Sequence, residues 1–264
     1  MSDREAFLKR FVQPEDKLLL AKVLDQADLS LKRREERFTF FLSPGHIFKF
    51  SKVLEHLKGD LNVMVYGGFE DAERKMIGFC PDFFDISEED FPIKVVEIET
   101  DKRFSSKLSH RDYLGSVLGL GIDRDRTGDI MINDNKAIII AMEDIAQYIC
   151  ANLFKVGRTP VKCTIKDVTG IDIAKKEVKE IFSTVPSLRL DCIVSSAFGL
   201  SRGNAKTLIE SEKVQLNWET VTNASAMVDE GDMLSARGFG RAQINEIKGK
   251  TKKDRIGIVI GRYI

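Results

Sequence analysis

Along the first third of the chain, apolar positions recur at helical spacing and then give way to short dense runs. In "PEDKLLLAKVLDQADLSLKRREE", Pro14 and two acids open a helix, and Leu18, Leu19, Val23 and Leu24 follow at the spacing of one face. "FTFFLS" then reads as a buried strand, Pro44 starts a second helix running to about Leu57, and "NVMVYGG" and "RKMIGFC" read as two strands. Residues 1–80 are expected to form a mixed α/β unit.

The pattern sharpens over residues 81–168. "IKVVEIE", "SHRDYLGSVLGLG", "DIMIN", "AIIIAM", "EDIAQYICANLF" and "PVKCTIK" follow in the order β-α-β-β-α-β, which is the split βαβ, ferredoxin-like plan of an RNA-binding-type unit. "NDNK" between the middle strands has the chemistry of a tight hairpin turn. The sequence then becomes charged and irregular, so residues 169–186 are expected to be a linker. Residues 187–264 form a third unit: two helices ("DCIVSSAFG", "SRGNAKTLIES"), a strand ("KVQLNW"), a loop, a strand ("MLSARGFGRAQINEI"), a basic turn ("KGKTKK") and a last strand ("DRIGIVIGRYI"). The fold class expected is α+β.

Composition narrows the partners only a little. Lys and Arg total 41 against 41 Asp and Glu, so any signal for a polyanion must lie in how charge is distributed. Cys80, Cys150, Cys163 and Cys192 are scattered, with no C-x-x-C pair, and read as buried reduced thiols. "MSDREAFLKRF" is charged from its third residue and "AIIIAM" is too short to cross a bilayer, which points to a cytoplasmic protein with no membrane partner. His46, His56 and His110 stand at no ligand spacing to one another or to a cysteine, so no metal and no cofactor are expected.

Candidate chemistry concentrates in the third unit. Ser201 is a good N-cap, yet the turn after it holds Arg202, Gly203, Asn204 and then Lys206, with no acid to complement the helix dipole. A docked phosphate would turn that arrangement favourable, because backbone N–H groups, the dipole and two cations converge on one anion. Strand alternation in "EKVQLNWE" puts Lys213, Gln215 and Asn217 on a polar face opposite Val214, Leu216 and Trp218. The same alternation in "MLSARGFGRAQ" puts Arg237, Phe239 and Arg241 on one face, suited to phosphate pairing and base contact. "RGFGRAQI" begins like the RNA-recognition-motif octamer but lacks its further aromatics. Lys250, Lys252 and Lys253 make the following turn basic.

The span "RLDCIVSSAFGLSRGNAKTLIESEKVQLNWETV", followed by "VDEGDMLSARG", resembles the S4-like (αL) RNA-binding domain of ribosomal protein S4, some pseudouridine synthases and tyrosyl-tRNA synthetases. Shared elements are the R-L-D opening, S-R at the second helix, A-x-x-L-I, V-x-L-N and the late G-D; Trp218 departs from the Gly that many members carry after the Asn. With "HRDYLGSVLGLGIDRDRTGDI" in the middle unit, nearly the whole chain resembles the YlmH family of bacterial S4-domain proteins. That resemblance implies an RNA-binding protein linked to cell division and to rescue of stalled large ribosomal subunits, with rRNA and/or tRNA as ligands. Carried onto matching positions, it makes Arg189, Ser201, Arg202, Lys206, Lys213 and Asn217 the leading contacts.

Other motifs lead elsewhere. Asp191 sits in "RLD", a string also found around the catalytic aspartate of pseudouridine synthases, but it precedes an apolar run and reads as an N-cap, with no large catalytic domain after it. "HRD" lacks every other part of a kinase, so Ser109 and Asp112 read as a capping-box variant. "GLGIDRD" has Arg124 where a dinucleotide fingerprint needs Gly. Arg111, Arg124 and Arg126 are secondary RNA candidates, against ion pairing with Asp123, Asp125 and Asp129. No catalysis is assigned; an RNA-modifying enzyme and a division-protein scaffold are the alternatives.

Overall fold

The structure, a computed structural model, describes residues 4–100, 108–133, 136–169, 178–251 and 254–263. The chain divides into two compact units, Met1–Ile173 and Ala174–Ile264. The expected hairpin turn at Asp134 and Asn135 lies outside the described residues.

The first unit begins with α1 (Arg4–Lys9) and α2 (Pro14–Arg33), then β1 (Arg37–Phe38), α3 (Pro44–Leu57), β2 (Leu61–Tyr66) and β3 (Met76–Pro81), the strands lying in the order β1-β3-β2. Pro14 and Pro44 start their helices, where a missing N–H costs nothing. The buried stripe of α2 is Leu20, Val23, Leu24 and Ala27, while Leu18 faces solvent. "FTFFLS" is largely irregular: only Arg37–Phe38 forms a strand, with an isolated bridge from Leu42 to Lys75.

The chain continues through β4 (Ile93–Thr100), α4 (His110–Leu118), β5 (Thr127–Asn133), β6 (Lys136–Met142), α5 (Glu143–Asn152), β7 (Lys155–Val156) and β8 (Thr159–Lys166). These strands make one antiparallel sheet, β5-β6-β4-β8-β7, in which β4 lies between the β5–β6 hairpin and the last strand. Alternation along the central strands β4 and β6 buries both faces. Val96, Ile98 and Ile139 meet Tyr113, Val117, Ala146 and Ile149 of the two helices, whereas Val95 and Ile140 meet Phe41, Tyr66 and Met76. Residues 1–80 and 81–168, read from sequence as separate units, therefore share a core. At α4 the Asp112 carboxylate accepts the Ser109 N–H and hydroxyl, both at 2.7 Å, as the capping reading expects.

Arg124 is half-buried and turned inward. Its Nη1 donates to the Thr127 carbonyl, the Thr127 hydroxyl and the Gly128 carbonyl at 2.6, 2.8 and 2.9 Å, and burial lowers its pKa to about 10. Arg74 beside it donates to Phe41 O and Thr127 O, joining the N-terminal segment to the sheet. Arg126 lies over the Phe40 ring at 4.2 Å, and Arg111 is exposed on α4.

The second unit holds β9 (Val178–Val185), α6 (Leu190–Phe198), α7 (Arg202–Glu210), β10 (Val214–Leu216), β11 (Glu219–Thr220), β12 (Met233–Ala236), β13 (Gly240–Lys250) and β14 (Ile256–Tyr263). All pair antiparallel in the order β11-β10-β12-β13-β14-β9. The two helices close one face over Val214, Leu234, Ile244, Ile258 and Ile260. Within the expected linker, residues 178–185 form β9, paired with β14 along its whole length; residues 170–177 lie outside the described residues. The expected strand "MLSARGFGRAQINEI" is broken at residues 237–239, where Gly238 (φ 88) and Gly240 (φ 97) supply the left-handed backbone a three-residue hairpin loop needs.

Among the described residues no helix is long and apolar enough to cross a membrane, and no group of three or more His, Cys, Asp or Glu is placed to hold a metal. All four cysteines are free, Cys80 and Cys192 buried and the other two half-buried. Burial raises the Cys163 thiol to about 11, which keeps it protonated and unreactive.

Candidate nucleic-acid interface

The α6–α7 corner is set by two local devices. Gly199, at φ 66, ends α6 in the left-handed conformation, and Ser201 caps α7 by accepting the Asn204 N–H at 3.1 Å. Ala205 and Ile209 of α7 are buried one helical turn apart, so Arg202 and Lys206 share an outer stripe. The start of α7 is open to solvent: Ser201, Arg202, Gly203 and Asn204 are all exposed.

The acid that α7 lacks in its own first turn comes from α6. Arg202 Nη2 lies 2.7 Å from Asp191 Oδ2, and Arg189 donates to the same carboxylate through Nε at 3.1 Å and Nη2 at 3.3 Å. The Asp191 side chain is only 6% exposed. Burial alone would raise its pKa, but hydrogen bonds from Arg189, Arg202 and the Cys192 N–H outweigh that and hold it well below the usual carboxylate range. The hydrogen bond to Asp191 in turn raises the pKa of Arg202. Asp191 is thus not the N-cap expected from sequence: Arg189 occupies that position, and Asp191 in the first turn bridges the two helices. The spacing of an acid two residues after Arg189 and eleven before Arg202 gave no local sign of this pairing. Two guanidiniums on one carboxylate leave the corner with a net positive charge.

Lys206 and Glu210 stand 3.6 Å apart, both more than half exposed, a pair of little strength in water. Lys213 and Arg237 form a second cationic point. The Arg237 N–H donates to the Lys213 carbonyl at 2.8 Å beside the Val214–Ala236 pair, so the two residues are neighbours across β10 and β12. Both are exposed, and among the described residues neither side chain has a partner.

Other expected contacts are engaged internally. Asn217 (φ 50) and Trp218 (φ 65) are the two turn residues between Leu216 and Glu219, the backbone of a type I′ hairpin. The Asn217 amide donates to Asp232 at 2.7 Å and its oxygen accepts the Met233 N–H at 2.9 Å, so alternation stops at Leu216 and Asn217 serves the turn. Because residues 237–239 are a loop, Arg237, Phe239 and Arg241 do not share a strand face. Phe239 is half-buried, tilted against Phe198 at 6.2 Å, and packs on the core. Arg241 is half-buried with its guanidinium 5.9 Å from the centre of the Tyr263 ring. Lys250 is exposed and pairs with Asp254 at 2.8 Å; Lys252 and Lys253 lie outside the described residues.

Comparison with known proteins fits this picture. Residues 15–82 match a family model described as YlmH, N-terminal; residues 87–170 match one described as a putative RNA-binding domain in YlmH; and residues 188–234 match the S4 domain. The chain is 31% identical over 248 residues to the "Ribosome-associated protein quality control protein P2" of Bacillus subtilis (strain 168), across 94% of this chain and 95% of that protein. It is also similar to the solved structure of the "Cell division protein ylmH from Streptococcus pneumoniae", with a TM-score of 0.50 and 29% identity over 61% of this chain and 98% of that one.

Proposed function

Because the chain belongs to the YlmH family, we propose that it is a cytoplasmic RNA-binding factor of the large ribosomal subunit, gripping rRNA and/or tRNA during rescue of stalled ribosomes. The name of its Bacillus subtilis relative supports the ribosomal setting, and the name of its Streptococcus pneumoniae relative supports a link to cell division. The protein acts by occupancy rather than by catalysis.

The observation that carries this reading is the exposed pair Lys213 and Arg237, two adjacent cations without side-chain partners on the domain whose second helix starts in open solvent. Partnerless cations stay fully hydrated until an anion arrives, and a phosphate backbone supplies anions at regular spacing. Arg189 and Arg202, held by Asp191, add a rigid donor set at the helix start, and Lys206 extends it along the same stripe.

Replacing Lys213 and Arg237 together with Gln is expected to weaken binding of a structured rRNA stem and to reduce the slope of log affinity against log salt by about two. Both residues are exposed, so folding should be unaffected. The same variant is expected to leave the large-subunit fraction in sucrose gradients. An unchanged salt slope removes the pair from the interface.

A further inference from the structure

The sheet of the second unit has a face turned away from its helices, and that face carries an aromatic ring in water. Val185, Ile181, Ile258 and Ile260 point to the helical core, so Phe182 and Thr184 of β9 and Gly257, Val259 and Gly261 of β14 point outward. Phe182 is 69% exposed, although its cross-strand partner Val259 is buried. The ring forgoes much of the 1.5–3 kcal/mol or so that full burial of such a side chain supplies.

The surroundings of the ring are cationic and constructed across three strands. Lys248 of β13 extends over β14 at Gly257, where an added Cβ would stand 3.1 Å from the Lys248 Cβ, and brings its ammonium to 5.5 Å from the centre of the Phe182 ring. A side chain at 257 would crowd that path. Arg255 is anchored on the neighbouring outward residue, its Nε donating to the Thr184 hydroxyl at 3.0 Å and its Nη2 to the Thr184 carbonyl. Glu246 stands 3.6 Å from the Lys248 ammonium, and Glu180, exposed two residues before Phe182 on the same face of β9, is a second acid nearby. A protein-binding hot spot surrounds its aromatic with apolar side chains; here Val259 is the apolar cross-strand neighbour, and the other near groups are glycine, threonine, lysine and arginine. A ring flanked by cations matches a nucleotide instead, which offers a base to stack and a phosphate to pair.

We infer that Phe182, with Lys248 and Arg255, is a stacking site for an unpaired RNA base, with the two cations receiving the flanking phosphates. The site rests on the RNA-binding reading but is separate from the α7 corner. Its strands, β9, β13 and β14, lie outside residues 188–234, the part of the chain that matches the S4 domain. It would hold a single-stranded segment, since a base within a duplex is already stacked on both sides.

The test compares the full-length protein with Phe182→Ala, Phe182→Trp and Lys248→Gln, using fluorescence anisotropy on a labelled oligouridine and on a labelled stem duplex. Phe182→Ala is expected to bind oligouridine about tenfold more weakly, the loss of one base stack, with duplex binding unchanged. Phe182→Trp should match the parent or exceed it, and Lys248→Gln should reduce the oligouridine salt slope by about 0.7. Equal oligouridine affinity in Phe182→Ala and parent overturns the site, as does a parent that binds duplex but no oligouridine; both leave the α7 corner standing. A parent that binds neither RNA overturns the functional reading together with the site. Sedimentation showing a dimer that Phe182→Ala dissolves would reassign this face to contact between copies of the chain, and the inference falls.

Discussion

At the scale of single residues, Asp191 governs the electrostatics of the helix corner. Its carboxylate is nearly sequestered, yet stays charged because two guanidiniums and a backbone N–H converge on it. Since its pKa in the fold lies below the unfolded value of about 4, the stability it contributes is complete above that pH and is lost as pH falls toward the folded pKa. Asp191→Asn is therefore expected to destabilise the second unit by about 1–3 kcal/mol at neutral pH, the scale of hydrogen bonds to a charged group. Urea unfolding followed at neutral pH and again below about pH 3 checks this: the gap between parent and variant should narrow in acid. A gap of constant size would mean the carboxylate acts by shape alone. Arg189 and Arg202 remain exposed at 39% and 56% of their side chains, so one carboxylate can fix both guanidiniums while leaving them open to solvent.

At the scale of elements, hairpins decide where the cations stand. The β10–β11 turn requires left-handed backbone at two successive residues, and Asn217 tolerates it better than most side chains while also tying the turn to Asp232 and Met233. Asn217→Ala is expected to lower stability by about 1–3 kcal/mol through the two lost hydrogen bonds and the strained φ. Trp218, the sole tryptophan, reports on that turn directly, so its emission should lose its native transition at a lower urea concentration in the variant. An unmoved midpoint would show that the turn is held by the strands on either side. Turn chemistry was hidden here because "NW" lacks the glycine that usually announces a type I′ hairpin. The helices were plain, since the caps at Ser109 and Ser201 and the prolines at 14 and 44 are local signals.

At the scale of the whole molecule, each of the two units carries buried clusters of its own. Every residue of the helix-capped C-terminal core falls between Val185 and Ile260, and the remaining three clusters lie within the first unit. The second unit has a hydrophobic core of its own, so a fragment of residues 174–264 is expected to fold alone and to retain the salt slope of the full chain on stem RNA. Circular dichroism and anisotropy on the fragment test this. A folded fragment with a shallower slope would move phosphate contacts into the first unit. The equal totals of acidic and basic residues concealed the cationic points, because charge that cancels over 264 residues need not cancel over one helix start.

What the amino-acid order determined by itself was the local repertoire: the amphipathic helices, the β-α-β-β-α-β run of the middle segment, and the S-R helix start whose outer stripe holds Arg202 and Lys206. Those features follow from backbone geometry, which fixes side-chain periodicity within a few residues. Only the tertiary structure joined residues 1–80 to 81–168 through one core, turned residues 178–185 from linker into an edge strand, and brought Asp191 to Arg202 and Lys248 to Phe182. Each of these depends on which surfaces exclude water together. That choice is made by packing among segments distant in sequence, and periodicity along one segment carries no record of its partner.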